Sequence, residues 1–149
     1  MPLSVHKREK KKVVLQDLTP KILLIKNLFE KPGEKIIFAY LFGSQARGEA
    51  GPLSDIDIAV YFEEDCDLME AKLNLVGKLM DLLGTDHVDL VILNKAPLPL
   101  TARIIRDSLL LVDRDTFFRQ RYESLMQRKY FDFSLLEKSI LNRRFSLGR

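Results

Sequence analysis

Cysteine is almost absent from this chain. The single Cys66 among 149 residues cannot build a disulfide framework or a cysteine metal knuckle, which points to a reducing, cytoplasmic compartment. Long apolar runs are missing as well. Stretches such as Ile36 to Phe42 are far too short to cross a bilayer, and the N-terminus is charged where a secretion signal needs an apolar segment, so neither membrane insertion nor outward targeting is expected. There are no internal repeats and no low-complexity linker, and the length is that of one domain with little room for a second substrate-binding module. The composition, 46% apolar and 30% charged, excludes a disordered or collagenous chain.

The net charge of +3 and the pI near 9.0 hint at nucleic acid until the charges are located. Residues 1–12 carry Lys7, Arg8, Lys10, Lys11 and Lys12 against Glu9, a net of +4, which leaves residues 13–149 at −1. The basic stretch therefore reads as a flexible tail on a nearly neutral domain spanning 13–149. Nucleic acid is not an expected partner, because the body offers no electrostatic track.

Hydrophobic periodicity outlines the domain. Thr19-Pro20 predicts a helix start, with Leu18, Ile22, Ile25 and Phe29 on one face and Lys31-Pro32-Gly33 as the stop. Lys35 to Phe42 is a buried-strand pattern, and Ile56 to Phe62 resumes it beyond the small, polar segment Gly43 to Pro52. Leu68, Lys72, Leu75, Leu79 and Leu82 predict a second helix closing at Gly84, and His87 to Leu93 a third strand. Pro97 and Pro99 mark a loop, residues 100–107 a short helix and Leu109 to Val112 a brief strand. The remainder predicts two polar-faced helices, the second starting at Asp132. The aromatic and apolar residues Phe117, Phe118, Tyr122, Leu125, Met126, Tyr130, Phe131 and Phe133 are expected mostly to pack these helices onto the sheet, with some surface left for a partner. Lys138, Arg143, Arg144 and Arg149 form a solvated helix face.

The chemistry lies in the strands. Asp55 and Asp57 stand two apart, so both carboxylates leave one face while Ile56, Ile58 and Val60 face the other way. Such a pair repels itself unless a cation sits between, and Mg²⁺, a hard cation with oxygen ligands, is the candidate. Asp89 projects likewise from a strand whose Val88, Leu90 and Ile92 alternate away from it. Three convergent carboxylates can hold two metal ions about 4 Å apart, one activating a hydroxyl and one stabilising a triphosphate. His87 reads as a strand-edge histidine, because a mixture of His and carboxylate suits Zn²⁺ better. Gly43 lets the backbone approach a phosphate, Ser44 donates from its hydroxyl, and Arg47 adds a forked cation. The turn just before the carboxylates carries Ser54.

Gly43-Ser44, ten residues, then Asp55-Ile56-Asp57 resembles the signature of the polymerase-β-type nucleotidyltransferases. Gly43-Ser44-Gln45-Ala46-Arg47-Gly48 with Ser54-Asp55-Ile56-Asp57 is similar to their small MNT branch. The resemblance covers roughly residues 35–95 by motif and the whole chain by length. It implies an α/β (α+β) fold of the polymerase-β-like nucleotidyltransferase type, a small mixed sheet with helices mainly on one face and the site open on the other. It implies metal binding by Asp55, Asp57 and Asp89, with nucleotide contacts at Gly43 and Ser44, and Arg47 and Ser54 beside them. Members of that branch are commonly encoded beside a HEPN-domain protein as the antitoxin of a toxin–antitoxin pair. The implied activity is Mg²⁺-dependent transfer of AMP from ATP to a tyrosine of that HEPN toxin. Transfer to a small molecule and non-catalytic masking of the toxin are the alternatives, and a homo-oligomer is left open.

Overall fold

The computed structural model describes residues 20–43, 46 and 55–147, the last three without their side chains. The basic tail, the cap at Thr19 and most of the segment between Gly43 and Asp55 lie outside them. In chain order the described elements are helix α1 (20–29), strands β1 (Ile36–Phe42) and β2 (Ile56–Phe62), helix α2 (Leu68–Leu83), strand β3 (Val88–Ile92), a 3₁₀ turn (Leu93–Lys95), helix α3 (Leu98–Arg106), strand β4 (Leu109–Asp113) and helix α4 (Thr116–Leu147). Among the described residues no helix is long and apolar enough to cross a membrane.

The four strands form one mixed sheet in the order β3-β2-β1-β4. β1 runs antiparallel to both β2 and β4, whereas β2 and β3 are parallel. Alternation along the strands builds a core on each face. Ile56, Ile58, Val60, Leu90 and Ile92 point to one side, where Ile25 and Phe29 of α1 and Leu75 and Leu79 of α2 cover them. Phe38, Tyr40 and Ala59 point to the other, under Ile104 of α3 and Phe118 and Tyr122 of α4. A register shift between Ile36 and Phe38 lets neighbouring residues of β1 serve both cores.

The face expected to lie open thus carries helices over part of its area. Phe38, Tyr61, Phe118 and Tyr122 form a ring cluster there, with Phe38–Tyr61 stacked at 5.1 Å and Tyr61–Tyr122 edge-on at 5.1 Å. The Tyr40 hydroxyl donates to Glu123 at 2.5 Å, and Arg119 lies between Glu123 and Asp113 at 2.9 Å from each.

Local polar groups finish the elements. Asp67 caps α2 by accepting from the amides of Met69 and Glu70, and Gly84 closes it in the left-handed region. The Arg114 guanidinium donates to the carbonyls of Phe29, Lys31 and Glu34, satisfying the end of α1 from the far side of the chain. Asn94 exchanges two 2.9 Å bonds with the backbone of Phe62, extending the ladder after β3 has ended.

Three expectations are corrected. Residues 116–147 form one helix, about 48 Å long, with no break at Asp132. Asp favours caps but costs only tenths of a kcal/mol inside a helix, so an exposed Asp132 does not stop it. Of the crowded aromatic residues, Phe118 and Tyr122 pack on the sheet, whereas Phe117, Phe131 and Phe133 are exposed. Moreover, α3 starts at Leu98 with Pro99 in its first turn, where a missing N–H costs nothing.

Candidate active site

Strand directions gather the polar positions at one end of the sheet. The C-terminal end of antiparallel β1 lies beside the start of β2, and parallel β3 starts there too, so Gly43, Asp55, Asp57, His87 and Asp89 come together. Asp57 is the register partner of Asp89 across the parallel pair and of Phe42 across the antiparallel one. Neighbouring strands lie about 4.8 Å apart, so two carboxylates stand side by side on one face. Like charges directly opposite one another destabilise a sheet, and a cation between them would relieve that repulsion. Asp57 is half-buried and Asp89 exposed, which leaves the pair accessible from outside.

Gly43 closes on this pair from β1. Its φ is +76°, and a Cβ at this position would overlap the Asp57 carboxylate oxygen Oδ2. The position therefore needs glycine twice over, for the backbone angle and for the space. Asp55 comes just before β2 and is exposed. Its Oδ1 lies 3.3 Å from His87 Nδ1, and the neighbouring amide of Ile56 donates to the His87 carbonyl at 2.8 Å. The Asp55–His87 contact follows from the pairing of Ile56 with Val88, which sets the preceding residues side by side. Sequence reasoning placed His87 at the strand edge without finding this contact. The signal was its position two residues before Asp89, matching that of Asp55 before Asp57.

Of the residues expected to form the site, Asp57 and Asp89 are thus joined by strand register, Gly43 packs on Asp57, and Asp55 sits at the same end beside His87. Ser44, Arg47 and Ser54 lie outside the described residues. The donor set consists of carboxylates and suits a hard cation such as Mg²⁺. Among the described residues, however, no three His, Cys, Asp or Glu side chains are grouped closely enough to hold a metal ion. The fit to Mg²⁺ therefore lies in donor chemistry and in the Asp57–Asp89 adjacency.

A large groove, about 990 Å³, opens at the opposite end of the sheet between the 3₁₀ turn and α4, with Tyr61, Asn94 and Phe118 in its wall. It is remote from the carboxylates along β2. On the wall of this groove Tyr122 is held neutral by burial, its pKa pushed up to about 12. Burial and the adjacent Glu123 raise Tyr40 further.

Comparison with known proteins agrees with this fold. The sequence model of the family described as Polymerase beta, Nucleotidyltransferase matches residues 24–117. No curated protein matches the chain. Among solved structures, the chain is similar to one from a toxin–antitoxin structure with AMP-PNP, at 27% identity and a TM-score of 0.68, over 82% of this chain and 96% of the other. It is similar at 25% identity and a TM-score of 0.60 to a chain from a complex of tri-AMPylated Shewanella oneidensis HEPN toxin with MNT antitoxin, over 82% and 97% of the two chains. A toxin–antitoxin structure of MntA–HepT contains another similar chain, at 26% identity and a TM-score of 0.60, over 81% and 97%.

Proposed function

Because the chain belongs to the polymerase beta nucleotidyltransferase family, we propose that it transfers AMP from ATP to a protein acceptor, a tyrosine of a HEPN toxin, and thereby acts as that toxin's antitoxin. The observation that carries this reading is the Asp57–Asp89 register with Gly43 packed on Asp57. Support for the acceptor comes from the similar chains found in toxin–antitoxin structures, one with AMP-PNP and one with a tri-AMPylated HEPN toxin.

In the proposed reaction the tyrosine oxygen forms a bond to the α-phosphorus of ATP. The bond from that phosphorus to the departing pyrophosphate breaks, and the phenolic proton passes to solvent. Asp55, Asp57 and Asp89 would hold Mg²⁺, which supplies charge neutralisation at the triphosphate and favours ionisation of the attacking hydroxyl. Gly43 leaves its backbone open to a phosphate, with Ser44, Arg47 and Ser54 assigned to the nucleotide beside it. The proposed organisation is one domain over residues 13–149, with a basic tail at 1–12.

A second reading is favoured by the outer half of α4, where Phe131, Leu135, Leu136 and Ile140 are exposed. Such a surface fits a partner that is silenced by binding alone. The two readings separate in one experiment, the intact mass of a co-expressed HEPN partner with the wild type and with Asp55→Asn, Asp57→Asn. Added AMP with the wild type only establishes transfer. An unmodified partner bound tightly by both versions would leave masking as the function.

A further inference from the structure

Besides the carboxylates, the same end of the sheet carries a cationic groove. A hollow of about 250 Å³ opens between α3 and α4, lined by Pro99, Leu100, Arg103, Arg106 and Tyr130. Its place follows from the topology. Leu109 of β4 pairs with Leu41 of β1, two residues before Gly43, so the C-terminal end of α3 lies at the carboxylate end of the sheet. Leu100 and Ile104 pack with Phe38, Tyr40 and Ala59, which sets α3 on the face that carries Asp57 and Asp89. β4 and β2 are two strand spacings apart, about 10 Å.

The lining chemistry suits an anion attached to a base. Arg103 and Arg106 are both exposed, and the Arg106 Nε contact to Asp107, at 3.2 Å, is a surface ion pair worth little. Among the described residues no carboxylate is paired with Arg103. Guanidinium groups present forked donors that match phosphate oxygens, and Tyr130, whose ring stacks with Phe133 at 6.5 Å, adds an aromatic wall of the kind on which bases stack. Basic residues in the last turn of a helix also complement its dipole, but that amounts to about half a charge and does not account for two arginines facing one hollow.

We propose that Arg103, Arg106 and Tyr130 form a phosphate subsite for adenine nucleotides beside the carboxylate site. This inference rests on the nucleotidyltransferase reading. One ligand chemistry can reach the subsite from two sources, the triphosphate of the donor or the phosphate of an acceptor that already carries AMP. The second source would let transfer be repeated on one acceptor.

The test is calorimetric binding of AMP-PNP with Mg²⁺, of 5′-phosphorylated diadenylate and of uncharged adenosine to the full chain, with Arg103→Ala, Arg106→Ala and, separately, Tyr130→Ala. The double variant is expected to weaken a phosphate-bearing probe by about tenfold or more, the factor carried by one lost charged hydrogen bond, without changing the melting temperature. Weakening of AMP-PNP alone assigns the subsite to the donor, and weakening of diadenylate alone assigns it to the acceptor. Loss of both, with adenosine unaffected, assigns it to either phosphate. Unchanged affinities, equal loss for adenosine, or a wild type that binds neither phosphate probe overturn the proposal. Failure of the function itself has a different signature, no AMP added to any acceptor by a wild type that still binds the probes.

Discussion

Replacing Gly43 with alanine tests the link between backbone geometry and chemistry. Gly43 has φ +76°, and an alanine held there costs about 1–2 kcal/mol through the clash of Cβ with its own backbone. For a domain of this size that corresponds to a fall in Tm of about 2–8 °C. The added methyl also overlaps Oδ2 of Asp57, so the carboxylate has to move. A displacement of about 1 Å at a catalytic group can cost about 100-fold in rate, well beyond what the stability loss explains. Gly33 supplies the control, because its φ is +97° and a Cβ there meets nothing within 4 Å. Both variants should melt early, but only Gly43→Ala should lose nucleotidyl transfer, measured as AMP incorporation at a temperature where each is fully folded. Equal activity in the two variants would refute the assignment of Gly43 and Asp57 to one site.

Two further outcomes follow from the fold. Asn94→Ala removes both bonds to the Phe62 backbone and should cost about 1–3 kcal/mol, with faster hydrogen exchange at the Phe62 amide. An unchanged exchange rate would show that the ladder does not need the side chain. Burial raises Tyr122 from 10.0 to about 12, so the unfolded chain ionises first and the stability from its neutral form, whole below pH 10, is lost as pH rises towards 12. The difference in urea stability between the wild type and Tyr122→Phe should therefore shrink between pH 8 and pH 11.5, and a constant difference would contradict the burial of that hydroxyl.

The acidic end of the sheet was legible because β2 and β3 alternate around their aspartates. Ile56, Ile58 and Val60 against Asp57, and Leu90 and Ile92 against Asp89, fix which side each carboxylate takes, so the adjacency of Asp57 and Asp89 needed only the pairing of β2 with β3. The C-terminal region was less legible. Helix α4 runs through Asp132, and its apolar residues fall on several sides of the helix, so no single stripe announces which of them face the sheet. Arg114 was hidden for a different reason. The carbonyls it satisfies are 80 or more residues away in sequence, and only the pairing of β4 with β1 brings them within reach. Likewise, the polar side chain of Asn94 does the work of a strand backbone, which no periodicity encodes.

The parallel pairing of Asp57 with Asp89 bears on folding as well as on chemistry. Sliding β3 by one residue along β2 would turn Asp89 to the opposite face, among Leu75 and Leu79 beneath α2, where an unpaired carboxylate is costly. The correct register instead places two like charges side by side, which weakens the strand pair but keeps both in reach of water and cations. The acidic residues thus act as alignment marks for an edge strand of only five residues. An apolar residue in place of Asp89 would relieve the repulsion and remove the mark together, leaving a sheet that holds its edge more firmly and aligns it less uniquely.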